Sequence, residues 1–298
     1  AGLRLVACTG RGLAECRHVL DEIRQADPVV GAGGSIVASP TATPERSTMH
    51  RFGLSKSLVM HVTAHLIDRG LPAMVLKDPS RTSYDYLMVQ GHAMHALDPV
   101  TIWWLESMSI RTRYAKVLEE DEHPEDTVRL GACALSGRLR AIHDELESAV
   151  GDGVTMHHFP AVVAPEHAKR LPTGECLHIL EVFARDANKW SAVRWAASEL
   201  GIDLSAIASI GDQVNDVAMI KGAQEAGGLG IAMGNAVESV ALAARARTMT
   251  NDQDGVAHAI DQLLSGAWDE VIEREPERGV ASPGDSPEPL AEAAWPRA

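Results

Sequence analysis

Short apolar runs alternate with amphipathic stretches at both ends of this chain. Leu3–Thr9 is apolar and compact enough to read as a buried strand, and Gly12–Gln25 follows with Leu13, Cys16, Leu20 and Ile23 on one helical face. Val29–Val37 gives a short strand with a glycine-rich turn, Gly31-Ala32-Gly33-Gly34, which predicts a tight strand connection. Near the other end, Ala206–Ile210 reads as a second buried strand and Val217–Glu225 has helical composition. Strands alternating with helices predict a parallel sheet flanked by helices, a Rossmann-like α/β core.

The middle of the chain reads differently. Ser39–Arg46 is rich in Pro, Ser and Thr and reads as a linker. Beyond it the pattern predicts helices over 55–68, 99–108 and 137–150, and strands over 73–77, 84–90, 114–118, 127–135 and 154–159. Leu177–Phe183 is a closing strand that leads back to the α/β pattern. The expected division is therefore a core over 1–46 and 177–265, interrupted by an α+β insert over 47–176 with helices on one face of a mainly antiparallel sheet. From residue 266 to 298 the chain is proline-rich and acidic. Such a composition buries too little apolar surface to offset ordering entropy, so a disordered tail is expected, with a short helix at Trp268–Ile272.

Composition narrows the partners. A chain of 298 residues with 45% hydrophobic content can bury a sizeable core, and its length fits two domains. A net charge of −14 argues against a nucleic-acid partner, because backbone phosphates need a basic footprint. Cys8, Cys16, Cys133 and Cys176 show no metal-binding or disulfide spacing, which points to a reducing, cytoplasmic setting, with Cys8 an inert core thiol. No apolar run approaches the length of a membrane span.

Three turns carry candidate chemistry. In Ile210-Gly211-Asp212-Gln213-Val214-Asn215-Asp216, two carboxylates and a carboxamide leave the C-terminal end of a strand, where open α/β sheets bind ligands. Asp212 and Asp216 are hard oxygen ligands close enough to share one Mg²⁺, although Asp and Asn also form ordinary turns and caps. Thr9-Gly10-Arg11 offers a hydroxyl and backbone N–H groups at a helix start, a cradle for phosphate. Arg11 has two readings, a phosphate contact or an ion pair that holds the loop. Lys189 opens the helix before the Asp212 strand and could place a point charge on phosphate, or be an ordinary solvated lysine.

The order of these motifs resembles the haloacid dehalogenase-like phosphatases: Thr-Gly-Arg, then Asn188-Lys189, then Gly-Asp-x-x-Asn-Asp-x-x-Met, then Gly230-Ile231-Ala232-Met233-Gly234-Asn235-Ala236. Together with Thr250-Asn251-Asp252-Gln253-Asp254-Gly255-Val256-Ala257, it is similar to the Cof-type branch, over the chain from its start to about Leu264. The resemblance implies a Mg²⁺-dependent phosphatase of a small phosphorylated metabolite such as a sugar phosphate. Thr9 and Lys189 would hold phosphoryl oxygens, with Gly10, Arg11 and Asn215 as further substrate contacts. Asp212 and Asp216 would serve the metal, Asp216 either directly or from behind the ligands. The inserted domain would act as a cap that chooses the substrate.

One departure stands out. The family's nucleophile is an aspartate in an Asp-x-Asp motif on a strand before Thr-Gly-Arg, and no Asp-x-Asp followed by Gly-Thr occurs here. Because that strand would lie between the Thr9 and Asp212 strands, its loss would bare two rows of backbone groups; a truncated fragment is therefore expected. The alternatives are a pseudoenzyme that binds phosphate esters without turnover, and a phosphotransferase such as a phosphomutase of the same superfamily. In the cap, His92, His95, His157 and His158 lack metal spacing, and Trp103-Trp104 reads as core packing.

Overall fold

The computed structural model describes residues 2–43, 46–161 and 175–273. The first part of the core runs β1 (Ala7–Cys8), α1 (Leu13–Glu22), β2 (Val29–Gly31), β3 (Ile36–Ala38) and β4 (Thr48–Arg51). These strands pair in the order β1-β2-β3-β4, with β1 and β2 parallel and the other pairs antiparallel. On α1, Cys16 and Leu20 are buried as the spacing predicts, but Ile23 is half exposed because the helix has already ended at Glu22.

The insert follows as α2 (Lys56–Asp68), β5 (Ala73–Lys77), β6 (Tyr86–Val89), α3 (Pro99–Ser107), β7 (Thr112–Ala115), β8 (Thr127–Leu135), α4 (Ser136–Val150), β9 (Val154–Pro160) and β10 (Leu177–Ala184). Its sheet has the order β7-β6-β5-β8-β10-β9, antiparallel throughout except β6 with β7. Strand alternation gives this sheet two different faces. Leu87, Leu130, Leu180 and Val182 pack under Val62 and Leu66 of α2 and Leu139, Ile142 and Leu146 of α4. Met74, Leu76, Tyr86 and Met88 point the other way, onto Leu105 of α3 and onto Leu13, Ala32 and Ile36 of the core. The insert is thus welded to the core by apolar packing. The helices do not all share one face, since α3 lies on the core side.

The second part of the core comprises α5 (Lys189–Leu200), β11 (Ala208–Gly211), α6 (Val217–Glu225), β12 (Leu229–Ala232), α7 (Glu238–Ala243), β13 (Ala246–Arg247), α8 (Gly255–Leu264) and α9 (Asp269–Glu273). Here β11, β12 and β13 form a parallel sheet. The fold is mixed α/β, with parallel pairs flanked by helices, as expected.

Sheet membership shifts the expected boundaries. The β4 strand lies in the stretch assigned to the insert, yet it extends the first core sheet. The β10 strand was assigned to the core, yet it is an inner strand of the insert's sheet. Grouped by sheet, Thr48–Arg51 goes with the first core strands and Leu177–Ala184 with the strands of the insert. Of the expected tail, 266–273 includes α9, and 274–298 lies outside the described residues.

Candidate active site

The site forms where the two core sheets approach each other. Both β1 and β11 are terminal strands of their sheets. Val6 and Cys8 nevertheless pack with Trp190, Met219 and Ile207 in one apolar cluster, so the edges converge. At their C-terminal ends the loops meet: a Cβ added at Gly10 would lie 3.1 Å from Asn215 Nδ2. Gly34 brings the halves together from behind. Its φ is +108°, and a Cβ there would overlap the Asn188 carbonyl carbon at 2.2 Å, next to Lys189.

On the first loop, Thr9 N–H donates to the Val30 carbonyl, which fixes the loop to β2. The Thr9 hydroxyl accepts from Arg11 N–H at 3.1 Å, so the loop folds around that oxygen. No carboxylate among the described residues pairs with Arg11, which leaves the ion-pair reading without a partner there. The Cys8 thiol lies just below, where burial pushes it up to about 12, with Lys189 pulling it down and Asp216 pushing it up.

Lys189 is not solvated. As the first residue of α5 it is only 5% exposed, and its Nζ donates to Asp216 Oδ1 at 2.5 Å and to Asn215 Oδ1 at 3.3 Å. Helix α5 is aimed by Asn188, whose side chain caps Ser191 N–H. The other oxygen of Asp216 accepts the backbone N–H groups of Asp212 and Gln213, at 3.0 and 2.9 Å. Asp216 therefore ties the turn to Lys189 with both oxygens engaged. Of its two expected roles, the geometry favours the one behind the ligands. Gly211 makes room for this, since a Cβ there would lie 2.4 Å from that of Asp216.

Asp212 is half-buried, the more accessible member of the pair. Its Oδ2 accepts from Asn235 Nδ2 at 3.1 Å, and Asn235 Oδ1 in turn accepts Asn251 N–H at 3.0 Å. No described residue donates to Asp212 Oδ1. An oriented carboxylate with one oxygen unspent at the mouth of a strand-end site suits a hard divalent cation. In the sequence Asn235 is one position of a motif; the bonds to Asp212 and Asn251 are what tie it to the carboxylate.

Sequence reasoning missed a second polar group entirely. On the core-facing side of the insert's sheet, Arg129 Nη1 donates to Glu181 Oε1 and to the Gly10 carbonyl, both at 2.5 Å. Its Nη2 donates to the Tyr86 hydroxyl, which donates to Glu15 Oε1 at 3.0 Å. Arg129 thus links the insert to the phosphate-cradle loop. Burial raises the Glu181 carboxyl above the usual range, although Arg129 opposes it. A separate His143, Asp144 and Glu147 group lies outside the buried Leu139, Ile142 and Leu146 stripe of α4, and contributes nothing to this site.

Residues 1–260 match the family model of the haloacid dehalogenase-like hydrolases. The chain is 26% identical over 273 residues to the putative phosphatase YxeH of Bacillus subtilis strain 168, an alignment that takes in 88% of this chain and 86% of that protein. It is 42% identical to phosphatase YwpJ of the same organism over 100 residues, which span only 33% of this chain and 34% of YwpJ. Among solved structures it resembles a haloacid dehalogenase-like hydrolase from Bacteroides thetaiotaomicron, with a TM-score of 0.66, 22% identity, and coverage of 88% and 87% of the two chains. The chain belongs to the haloacid dehalogenase-like hydrolases.

Proposed function

We propose that this chain binds the phosphoryl group of a small phosphorylated metabolite, a sugar phosphate among the candidates, between the Thr9 loop and Lys189. It does so as part of a Mg²⁺-dependent phosphomonoester hydrolase. The observation that carries this reading is the convergence of Thr9, Gly10, Lys189, Asn215 and Asp212 on the ends of β1 and β11, with Lys189 aimed by Asp216. Thr9 and the loop N–H groups offer donors to phosphoryl oxygens, and Lys189 adds a positive charge where charge develops during transfer. Asp212, held by Asn235, would hold Mg²⁺, with Asp216 supporting the turn. When bound, the cation offsets repulsion between an attacking carboxylate and the phosphate. The insert excludes bulk water from the cradle.

The attacking carboxylate is proposed to come from a strand that inserts between β1 and β11 and pairs with both. Two terminal strands converging at this point support that placement, because unpaired ladder groups favour an added strand. The intact mass of the protein from its source, with the gene sequence upstream of the codon for Ala1, tests it. An Asp-x-Asp strand encoded there supports the reading, and a native start at Ala1 contradicts it. In the chain carrying that strand, Asp212→Ala should remove Mg²⁺-dependent phosphatase turnover. The second reading, a protein that binds phosphate esters without turnover, uses the same cradle of Thr9, Gly10 and Lys189. It predicts binding with no phosphate release under the same conditions.

A further inference from the structure

A histidine cluster lies on the face of the insert's sheet that turns away from the core, and strand pairing rather than sequence spacing assembles it. His158 on β9 and His178 on β10 stand diagonally across an antiparallel pair, with Leu180 opposite His158 and Pro160 opposite His178. Both share the face of Leu180, which packs under α4. Their Nδ1 atoms face each other at 3.4 Å. From α4, the His143 ring meets that of His158 edge-on, with centroids 5.3 Å apart. Asp144 Oδ1 lies 3.6 Å from His143 Nδ1, and Glu147 offers a carboxylate oxygen within 4.8 Å of both groups.

The 3.4 Å separation decides between two ways of joining the histidine pair. A direct hydrogen bond from a ring nitrogen is best at about 2.9–3.0 Å. A tetrahedral zinc ion holds nitrogen ligands at about 2.0–2.1 Å, which sets neighbouring ligand atoms about 3.3–3.4 Å apart. The two rings are spaced for a shared cation rather than for each other. Burial chiefly holds His158 and His178 below the ordinary histidine value, so at neutral pH both rings keep the lone pair that a metal takes. Arg140 stands nearby on α4, but it is exposed, and Asp144 and Glu147 on the same helix offset its charge. Imidazole nitrogens suit zinc, nickel and copper, whereas Mg²⁺ takes oxygen ligands, so this ion differs in kind from one at Asp212. We propose that His158 and His178, with His143 as third ligand, form a transition-metal site of the zinc class that clamps α4 to the β9–β10 pair. Asp144 orients His143, as carboxylates orient ligating imidazoles in general. Because β9 is a terminal strand of its sheet, a bond from the helix secures the strand that pairs on one side only.

Calorimetric titration of the chelator-treated chain with zinc chloride, in excess Mg²⁺ to keep oxygen-ligand sites filled, tests this. The expected result is one Zn²⁺ per chain with micromolar or tighter affinity, and a higher melting temperature with zinc than without. His158→Ala and His178→Ala should each weaken zinc at least about a hundredfold, and His143→Ala about tenfold or more. His92→Ala, at an exposed turn of the insert, should bind zinc as the unaltered chain does. Cobalt substitution reads the ligands without any variant, because nitrogen coordination gives visible d–d bands and no sulfur charge-transfer band. Absence of zinc binding by the unaltered chain would overturn the proposal. So would a sulfur band from bound cobalt, or undiminished zinc affinity in folded His158→Ala and His178→Ala.

Discussion

Two buried lysines, each beside an aspartate, show how the insert and the site use the same chemistry differently. Lys77, at the end of β5, is fully buried and donates to the Asp121 carboxylate, to the His123 carbonyl at 3.0 Å and to Thr127 Oγ1 at 2.8 Å. An ammonium has three protons, and all three are spent. Burial holds the Lys77 ammonium below its ordinary value, while Asp121 pulls it back up. Lys189 has Asp216 and Asn215, and no third acceptor among the described residues. One donor is left for a ligand. Burial and an acidic partner alone therefore do not mark a functional lysine; the unspent donor does.

Breaking the closed pair should have the largest effect on stability. Lys77→Ala leaves Asp121 buried without its counter-ion and should cost about 3–5 kcal/mol in chemical denaturation. Lys189→Ala should act mainly on binding, weakening inorganic phosphate about ten- to hundredfold in calorimetry. Its effect on stability should be smaller than that of Lys77→Ala, because Asp216 keeps two backbone donors. Between these lies Gly211→Ala. The new methyl collides with Asp216 and should cost about 1–3 kcal/mol while also weakening phosphate binding, since Asp216 aims Lys189. Asp212→Asn should leave the melting temperature nearly unchanged and remove the Mg²⁺ dependence of phosphate binding.

The smallest expected effect is in the insert and depends on pH. His157, His158 and His178 are all held below the ordinary histidine value, chiefly by burial. Neighbouring cations add to this: His143 and Lys189 at His157, His143 and Arg140 at His158, and His158 and Arg140 at His178, while Asp144 works in the opposite direction at His158. The folded protein thus binds fewer protons than the unfolded chain near and below pH about 6.5. Stability is therefore unaffected by these groups above that value and declines as pH falls through it. Melting temperatures measured across that range should show the decline, and His158→Asn should reduce it.

Much of the fold was legible because local pattern and tertiary context agree. Ala73–Lys77, Thr127–Leu135 and Val217–Glu225 have the ends that the sequence predicts. β4 was hidden because Thr48–Arg51 is a mostly polar stretch after a proline-rich segment, and only pairing with β3 makes it a strand. Sheet membership of β10 is a long-range fact that periodicity does not carry. Within the site, Thr9, Lys189, Asp212 and Asp216 stood out because they lie at strand ends and helix starts, where ligand chemistry has a local signature. The bond from Lys189 to Asp216 spans 27 residues and could not be read locally. Arg129 and Glu181 were missed for a different reason. Each is the one Lys, Arg, Asp or Glu in a largely apolar strand, the pattern of a solvent-facing position. Here that face is covered by the core, which turns two apparent surface residues into a buried pair over the cradle.

Titration of inorganic phosphate with Mg²⁺ into the unaltered chain, Lys189→Ala and Lys77→Arg tests the central distinction most directly. The account predicts saturable binding in the unaltered chain and in folded Lys77→Arg, with a loss of about ten- to hundredfold confined to Lys189→Ala. Equal phosphate affinity in the unaltered chain and in folded Lys189→Ala would contradict it, because the unspent donor would then have no part in holding phosphate.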